Sequence, residues 1–168
     1  PMEYLVRKPG FQDQALKPLL ETRELAVTLV PETDPFKLAE ARQRLSAAEG
    51  GCQAEIGVAS SMAAALIATA YDAPSLVVEN AAESALEHHL GMTCDPVAGY
   101  VQVPCIERCA FGAVKAWTAY AIASNEIASR HRISFDETVL ALAQTAKEMN
   151  SKYKETSEAG LALSVTLC

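Results

Sequence analysis

The chain has 168 residues, of which 50% are hydrophobic, and its formal net charge is −7. This length fits one domain or part of a larger one, and an acidic chain without a long basic stripe argues against nucleic acid as a partner. No apolar run reaches the roughly 18 residues of a membrane span, and no secretory leader is visible. We therefore expect a cytoplasmic protein without membrane association, whose five cysteines are metal ligands or inert thiols rather than disulfides.

The sequence of residues 1–45 does not show the periodicity of a single type of secondary structure. Five of the eight prolines interrupt residues 1–35. Phe11 to Leu20 and Glu21 to Val30 fit either two short helices or a helix and a strand, and a clearer helix is predicted from Phe36 to Ala48, with Asp34 as its N-cap. We therefore leave residues 1–45 as an unassigned segment, truncated or divergent, and treat residues 46–168 as the main structural unit.

From residue 46 onward, alanine-rich helices follow one another with clear boundaries. The first is predicted from Cys52 to Ala70, directly after two glycines. The second is predicted from Ser75, as N-cap, to Leu90. Glutamates such as Glu83 lie in its earlier turns, and Gly91 follows its end. This pattern predicts an all-α fold, built as an alanine-rich helical bundle.

Two more helices are predicted after a loop rich in proline and glycine. Apolar spacing of three and four indicates a helix from Pro104 to about Ser124. Its apolar stripe consists of Ile106, Ala110, Ala113, Val114, Trp117 and Ala121. Ser134 and Glu137 form a capping box that opens a fourth helix, to about Asn150. The spacing then changes to two, which indicates an extended C-terminal tail with Leu161, Leu163, Val165 and Leu167 on one side.

The cysteines lie at helix starts, in a loop and at the end of the chain. Cys52 and Cys105 each begin a helix, Cys94 lies in the loop before the second of these, and Cys168 is the last residue. Helix N-termini favour thiolates, so two converging starts would stabilise a thiolate-held metal cluster. The spacing leaves open that these are merely buried apolar side chains, since no C-x-x-C pair is present. Cys109 is interpreted as a core thiol rather than a ligand.

Other polar residues near the cysteines have more than one interpretation. His88 and His89, at the end of the second helix, either complement the helix dipole or orient a cluster ligand or substrate. Arg108 is unfavourable near a helix start and is therefore expected to pair with a carboxylate. Lys115 is interpreted as a snorkelling lysine, because no phosphate cradle accompanies it to support pyridoxal phosphate.

Three stretches carry specific motifs. They are GCQAEIGVASSMAAA at 51–65, ENAAESALEHHLGMTCDPVAGYVQVPCIER at 79–108 and SKYKETSEAGLALSVTLC at 151–168. With these motifs, the chain over about residues 46–168 closely resembles the C-terminal part of the catalytic domain of the iron–sulfur L-serine dehydratases, the alpha-chain family.

The resemblance implies a [4Fe-4S] cluster held by Cys52, Cys94 and Cys105, without pyridoxal phosphate. It also implies that the fourth iron is left open as a Lewis acid for a small amino-acid substrate, and that Cys168 caps this iron at rest. The reaction implied is elimination of water from L-serine, giving pyruvate and ammonia. A base must remove the α-proton, and the resemblance assigns no residue of this chain to that role.

The chain also departs from the family. It reads IERCA where these enzymes usually read IERNA, which places Cys109 near a cluster ligand, and the SSHTxGP signature of the partner domain or beta chain is absent from the 168 residues. We therefore expect activity to require a homo-oligomer, a beta chain or an N-terminal domain. Two alternatives stay open: a related lyase of the cysteine desulfidase type, and a truncated, non-catalytic helical domain.

Overall fold

The computed structural model describes residues 47–100 and 102–164, and every regular element within these residues is helical. The helices are α1 (Ala47–Gly50), α2 (Val58–Ala70), α3 (Ser75–Glu87), α4 (Cys105–Asn125) and α5 (Phe135–Glu148). A π-helical turn, Gln53–Gly57, leads directly into α2. The predicted all-α fold is confirmed. Of the helix predicted from Phe36 to Ala48, residues 36–46 lie outside the described residues, as do residues 165–168 of the predicted tail.

Helices α2, α3 and α4 pack against one another through small side chains. Their shared core contains Ala64, Ala65, Ala68, Val78, Ala81, Ala82, Ala85, Ala116, Ala119 and Ala123. Two hydroxyl groups donate hydrogen bonds across this contact, from Ser60 to the carbonyl of Gly112 and from Ser61 to the carbonyl of Ala82, each at 2.7 Å. Because alanine and serine are short, they let the helix backbones approach closely, and the alanine-rich pattern corresponds to this compact core.

Two glycines lie where neighbouring parts of the chain leave no room for a side chain. A Cβ atom on Gly57 would lie 2.9 Å from the Cβ of His89, and one on Gly112 would lie 3.0 Å from the Cγ2 of Ile56. Both distances are shorter than the optimal separation of carbon atoms. Any side chain at Gly57 would therefore push α2 away from the chain that follows α3.

The stretch Gln53–Ala70 has the length and apolar composition of a membrane-spanning helix, and it is the one such helix within the described residues. This differs from the expectation that no apolar run would reach that length. The stretch supplies Ala64, Ala65 and Ala68 to the core shared with α3 and α4. An apolar helix packed in this way is typical of the core of a globular domain.

The ends of α3 differ from the prediction, whereas the start of α5 agrees with it. Ser75 is the first residue of α3 rather than its cap, and the helix ends at Glu87 instead of Leu90. In α5, the hydroxyl of Ser134 accepts from the backbone N–H of Glu137 at 3.2 Å, and the Glu137 carboxylate accepts from the backbone N–H of Ser134 at 2.8 Å. The predicted capping box is therefore confirmed.

Helix α4 buries a different face from its predicted apolar stripe. Its buried residues are Cys105, Gly112, Ala116, Ala119 and Ala123. The larger apolar side chains stay exposed, at 64% for Ile106 and Val114, 65% for Phe111, 51% for Trp117 and 53% for Ile122. Small residues line the buried side because α2 and α3 lie too close to admit large ones. Helix α4 is therefore apolar on two sides, of which the described residues cover one.

The carboxy-terminal segment, residues 150–164, folds back along the loop that carries Cys94. It forms two short 3-10 turns, Ser151–Tyr153 and Gly160–Leu163, and an isolated parallel bridge joins Cys94 and Lys154. The extended conformation predicted around Leu161 and Leu163 is therefore wrong at these two residues. The reason is local: Gly160 has a φ of +65°, and the next backbone N–H is bound by a side chain of the Cys94 loop, which turns the chain.

Candidate thiol site

Three of the predicted ligands come together in the structure. Cys52 directly precedes the π-helical turn, Cys94 lies in the loop between α3 and α4, and Cys105 is the first residue of α4. Their exposed fractions are 2%, 2% and 7%. Cys94 is within hydrogen-bonding reach of the Cys52 thiol, and Cys105 lies close enough to Cys52 for their charges to interact. The fourth predicted residue, Cys168, lies outside the described residues.

Backbone contacts hold the two loops of the thiol site side by side. The backbone N–H of Gln53 donates to the carbonyl of Met92 at 3.1 Å, and its side-chain Oε1 accepts from the backbone N–H of Gly91 at 2.8 Å. Gly51, with a φ of +73°, brings the chain so close that a Cβ atom there would lie 2.8 Å from the Met92 carbonyl oxygen. The residues on either side of Cys52 are thus tied to Gly91 and Met92, which lie just before Cys94 in the chain.

Arg108 lies beside the thiols and bridges the site. Its Nη1 donates to the Thr93 carbonyl at 2.7 Å and lies 3.4 Å from the Sγ of Cys52. Its Nη2 lies 2.8 Å from the Oδ1 of Asp95. The prediction that Arg108 pairs with a carboxylate is therefore confirmed. The role of Asp95 was missed, although its place directly after Cys94 was a signal that it could reach the site.

The surroundings shift the pKa values of the three thiols in different directions. A hydrogen bond with Cys94, supported by Arg108 and opposed by burial, lowers the pKa of Cys52 to about 7. The same hydrogen bond, together with burial, raises the pKa of Cys94, and burial raises the pKa of Cys105. Since the thiolate is the form that binds metals and reacts as a nucleophile, Cys52 is the thiol best prepared for either role in the metal-free chain.

Cys109 lies at the edge of this group. It is close enough to Cys105 for their charges to interact, but it is exposed, so its interpretation as a core thiol is wrong. Cys109 follows Cys105 by four residues and therefore lies on the same face of α4, but within the described part of the chain that face is left uncovered at the level of Cys109.

The two neighbouring histidines have different surroundings. His88 is exposed, whereas His89 is 1% exposed and its Nδ1 hydrogen bonds to the carbonyl of Ala85 at 2.6 Å. Burial lowers the pKa of His89, so this residue is favoured in its neutral form. His89 therefore satisfies a carbonyl at the end of α3 as a neutral donor, and charge complementarity with the helix dipole does not describe it.

A second polar cluster, the Glu83 cluster, was not predicted. Glu83 is fully buried, and its carboxylate accepts hydrogen bonds from Thr138 at 2.6 Å and from the Nε2 of His131 at 2.8 Å. The Nδ1 of His131 lies 2.9 Å from Glu126, which also accepts from Asn80 at 3.0 Å. Burial opposes the charging of His131, but hydrogen bonds and charges from Glu83 and Glu126 raise its pKa. The prediction had treated Glu83 as a helix-dipole partner, although it lies between alanines of the core stripe.

Comparison with known proteins agrees with the motifs of the thiol site. Residues 37–162 match the family model described as serine dehydratase alpha chain. An L-serine dehydratase of Helicobacter pylori is 54% identical over 118 residues, which cover 70% of this chain and 26% of that protein. L-serine dehydratase 2 of Escherichia coli is 52% identical over 124 residues, 74% of this chain and 27% of that protein. The L-serine dehydratase of Streptomyces coelicolor is 48% identical over 124 residues, with the same two coverages.

Proposed function

The chain belongs to the serine dehydratase alpha-chain family, and we propose that it forms the cluster-binding part of an iron–sulfur L-serine dehydratase. The reaction is elimination of water from L-serine, which gives pyruvate and ammonia. One observation carries the proposal: Cys52 and Cys94, from separate places in the chain, pack together in one buried cluster, and the buried Cys105 lies close enough for its charge to act on both.

The donor set fits a [4Fe-4S] cluster. Such clusters are held by cysteine thiolates that bind different irons, so their sulfurs need not converge on one point. Within residues 47–100 and 102–164, no three His, Cys, Asp or Glu side chains are grouped closely enough to hold a single metal ion. The three buried cysteines offer the sulfur ligands that such clusters take, and the guanidinium of Arg108 offsets part of their negative charge.

The chain's own residues hold and enclose this site. When bound, a [4Fe-4S] cluster with one open iron supplies a Lewis acid for the serine hydroxyl and carboxylate. Cys52, Cys94 and Cys105 would hold the cluster, and Arg108 would orient the side chain of Cys52. Burial of the three thiols excludes water and oxygen from the ligands. We assign to Cys168 the role of capping the open iron in the resting enzyme.

The proposed enzyme needs polypeptide beyond the residues of this chain to cover α4 and to complete the active site. The chain spans about a quarter of the length of the curated relatives it matches, and the exposed side of α4 carries Ile106, Phe111, Val114, Trp117 and Ile122. A helix that is apolar on both sides is normally covered on both. We propose that an N-terminal domain, a beta chain or a second copy covers this side and supplies the base for the α-proton. A cytoplasmic location without nucleic-acid or membrane partners stays a prediction from composition.

Anaerobic reconstitution with iron and sulfide tests the ligand set. The wild-type chain should bind about four irons and four sulfides and absorb near about 400 nm, as expected of a [4Fe-4S] cluster. Cys52→Ala should lose most of this binding. Cys109→Ala is the matched control, since its thiol is exposed, and it should bind as the wild type does. Equal binding by the Cys52→Ala and Cys109→Ala variants would overturn the proposal.

A further inference from the structure

The carboxylate of Asp95 lies between the thiol site and the carboxy-terminal segment. Asp95 is 3% exposed. Its Oδ1 lies 2.8 Å from the Nη2 of Arg108, and its Oδ2 accepts a hydrogen bond from the backbone N–H of Leu161 at 2.7 Å. One buried side chain thus holds two groups that are far apart in the sequence.

On one side, the contact continues to a thiol. The same guanidinium that pairs with Asp95 places its Nη1 3.4 Å from the Sγ of Cys52. It also donates to the carbonyl of Thr93 at 2.7 Å, which fixes its plane. Because a guanidinium is rigid and planar, a displacement of Asp95 changes where the positive charge lies relative to Cys52.

On the other side, the contact reaches a segment with unfavourable backbone geometry, which further hydrogen bonds tie to the Cys94 loop. Glu155 and Ser157 have φ values of +57° and +59°, a region that costs free energy for residues other than glycine. Such a conformation persists only where neighbours hold it. The hydroxyl of Ser157 donates to the Pro96 carbonyl at 2.6 Å, and the backbone N–H of Glu155 donates to the Cys94 carbonyl at 3.0 Å.

Glycine at position 160 makes the Asp95 contact possible. Its φ is +65°, and a Cβ atom there would lie 2.6 Å from the Oδ2 of Asp95. Position 160 therefore needs both the left-handed conformation and the absence of a side chain. The two requirements coincide at the point where the carboxy-terminal segment meets the carboxylate.

We propose that Asp95 is a positioning residue that couples the carboxy-terminal segment to the thiol site. Its carboxylate holds Leu161 directly and holds Cys52 through Arg108. A displacement of the carboxy-terminal segment therefore changes the surroundings of Cys52, and a displacement of Arg108 changes the hold on the segment. The cluster readout below rests on the proposed function, whereas the metal-free readouts do not.

Two variants disturb opposite sides of Asp95. In Asp95→Asn, the amide oxygen still accepts the N–H of Leu161, but the NH2 group faces a guanidinium that is itself only a donor. In Gly160→Ala, the groups that pair Asp95 with Arg108 stay chemically intact, and the new Cβ meets the Asp95 carboxylate from the side of the segment. Gly91→Ala is the control for the cost of a left-handed alanine, since Gly91 has a φ of +81° and nothing within 4 Å of its added Cβ.

Each variant is measured on the side of Asp95 that the substitution does not disturb directly, in the full, metal-free chain. For Asp95→Asn, amide exchange at Leu161 and Glu155 should accelerate by about fivefold or more, as for the loss of one hydrogen bond, although the Leu161 bond is still available. For Gly160→Ala, alkylation of Cys52 at fixed pH, followed by mass spectrometry, should accelerate by about fivefold or more over Gly91→Ala. If each variant changes only its near side, the coupling is overturned.

A spectroscopic readout separates this proposal from the proposed function. In reconstituted protein, Asp95→Asn should alter the visible spectrum or oxygen lifetime of the cluster while its iron content stays at the wild-type level. An unchanged spectrum and lifetime, with normal iron content, would overturn the link through Arg108. If the wild type binds no cluster, the proposed function fails, and the metal-free measurements still decide the coupling.

Discussion

Replacing His131 by alanine should destabilise the fold by about 3 kcal/mol. Its partner Glu83 is fully buried, and apart from the imidazole at 2.8 Å its carboxylate accepts from the hydroxyl of Thr138 at 2.6 Å. Breaking a buried ion pair by removing one partner costs about 3–5 kcal/mol, because the other charge is left uncompensated. The lower end applies here, since the side chain of His131 is 16% exposed and water can enter the space it leaves.

Urea denaturation near about pH 6, followed by circular dichroism, measures this effect; the unfolding midpoint should fall by about 1–1.5 M for a slope of about 2–3 kcal/mol/M. The matched control is His88→Ala, which removes an exposed histidine and should change the free energy of unfolding by less than about 0.5 kcal/mol. If His131→Ala shifts the midpoint no more than His88→Ala does, the reasoning about the Glu83 cluster is refuted.

The Glu83 cluster also fixes the sign of a pH dependence. Against the opposing effect of burial, the two carboxylates raise the pKa of His131 above the unfolded value of about 6.5. The stabilisation is therefore complete below about pH 6.5 and is lost as the pH rises through the folded-state pKa. His89 acts in the opposite direction, since burial lowers its pKa, so the comparison with His131→Ala isolates His131. The difference in unfolding free energy between wild type and variant should shrink as the pH rises, and a constant difference would argue against a charged imidazole.

Three further substitutions test the packing and the surface. Gly57→Ala should cost about 1–3 kcal/mol through overpacking, because its new Cβ would lie 2.9 Å from that of His89; a melting temperature equal to the wild type would contradict this contact. Ser134→Ala should cost about 1 kcal/mol by removing the capping box, measured by urea denaturation, whereas Ser124→Ala, whose hydroxyl binds carbonyls of its own helix, should change little. Val114→Glu should leave the unfolding of this chain unchanged within about 0.5 kcal/mol but weaken association with the complementary polypeptide in sedimentation experiments, and undiminished association would place the interface elsewhere.

The sequence predicted the features that depend on local chemistry. Glycines and prolines fixed most helix boundaries to within a few residues, and the Ser134 capping box was recognised because both of its partners lie within one turn. The expectation that the helix starts at Cys52 and Cys105 converge agrees with the interaction of their charges, and their role as metal ligands stays a prediction. The charge of Arg108 near a helix start correctly indicated a carboxylate partner, but its identity required the fold, since Asp95 lies on a different loop.

Features that depend on packing between helices were predicted poorly. The apolar stripe of α4 was assigned by side-chain size, but the helix buries its small residues, because closeness to α2 and α3 decides which face fits. The large residues Trp117 and Ile106 were left outside for the same reason. Glu83 was misinterpreted because a single sequence does not reveal that His131, 48 residues later, would reach it.

The π-helical turn Gln53–Gly57 has a consequence for the permitted length of the chain. A π-turn holds one residue more than an α-helical path would, so it is equivalent to a one-residue insertion next to Cys52. The wider turn absorbs this residue locally, so that Cys52 and α2 keep their helical register, whereas a one-residue deletion within α2 would rotate everything before it by about 100° around the helix axis. Cys52 would then turn away from Cys94. The position of Cys52 therefore depends on the number of residues that separate it from the core of α2, as well as on the contacts that Gln53 and Gly57 make within the turn.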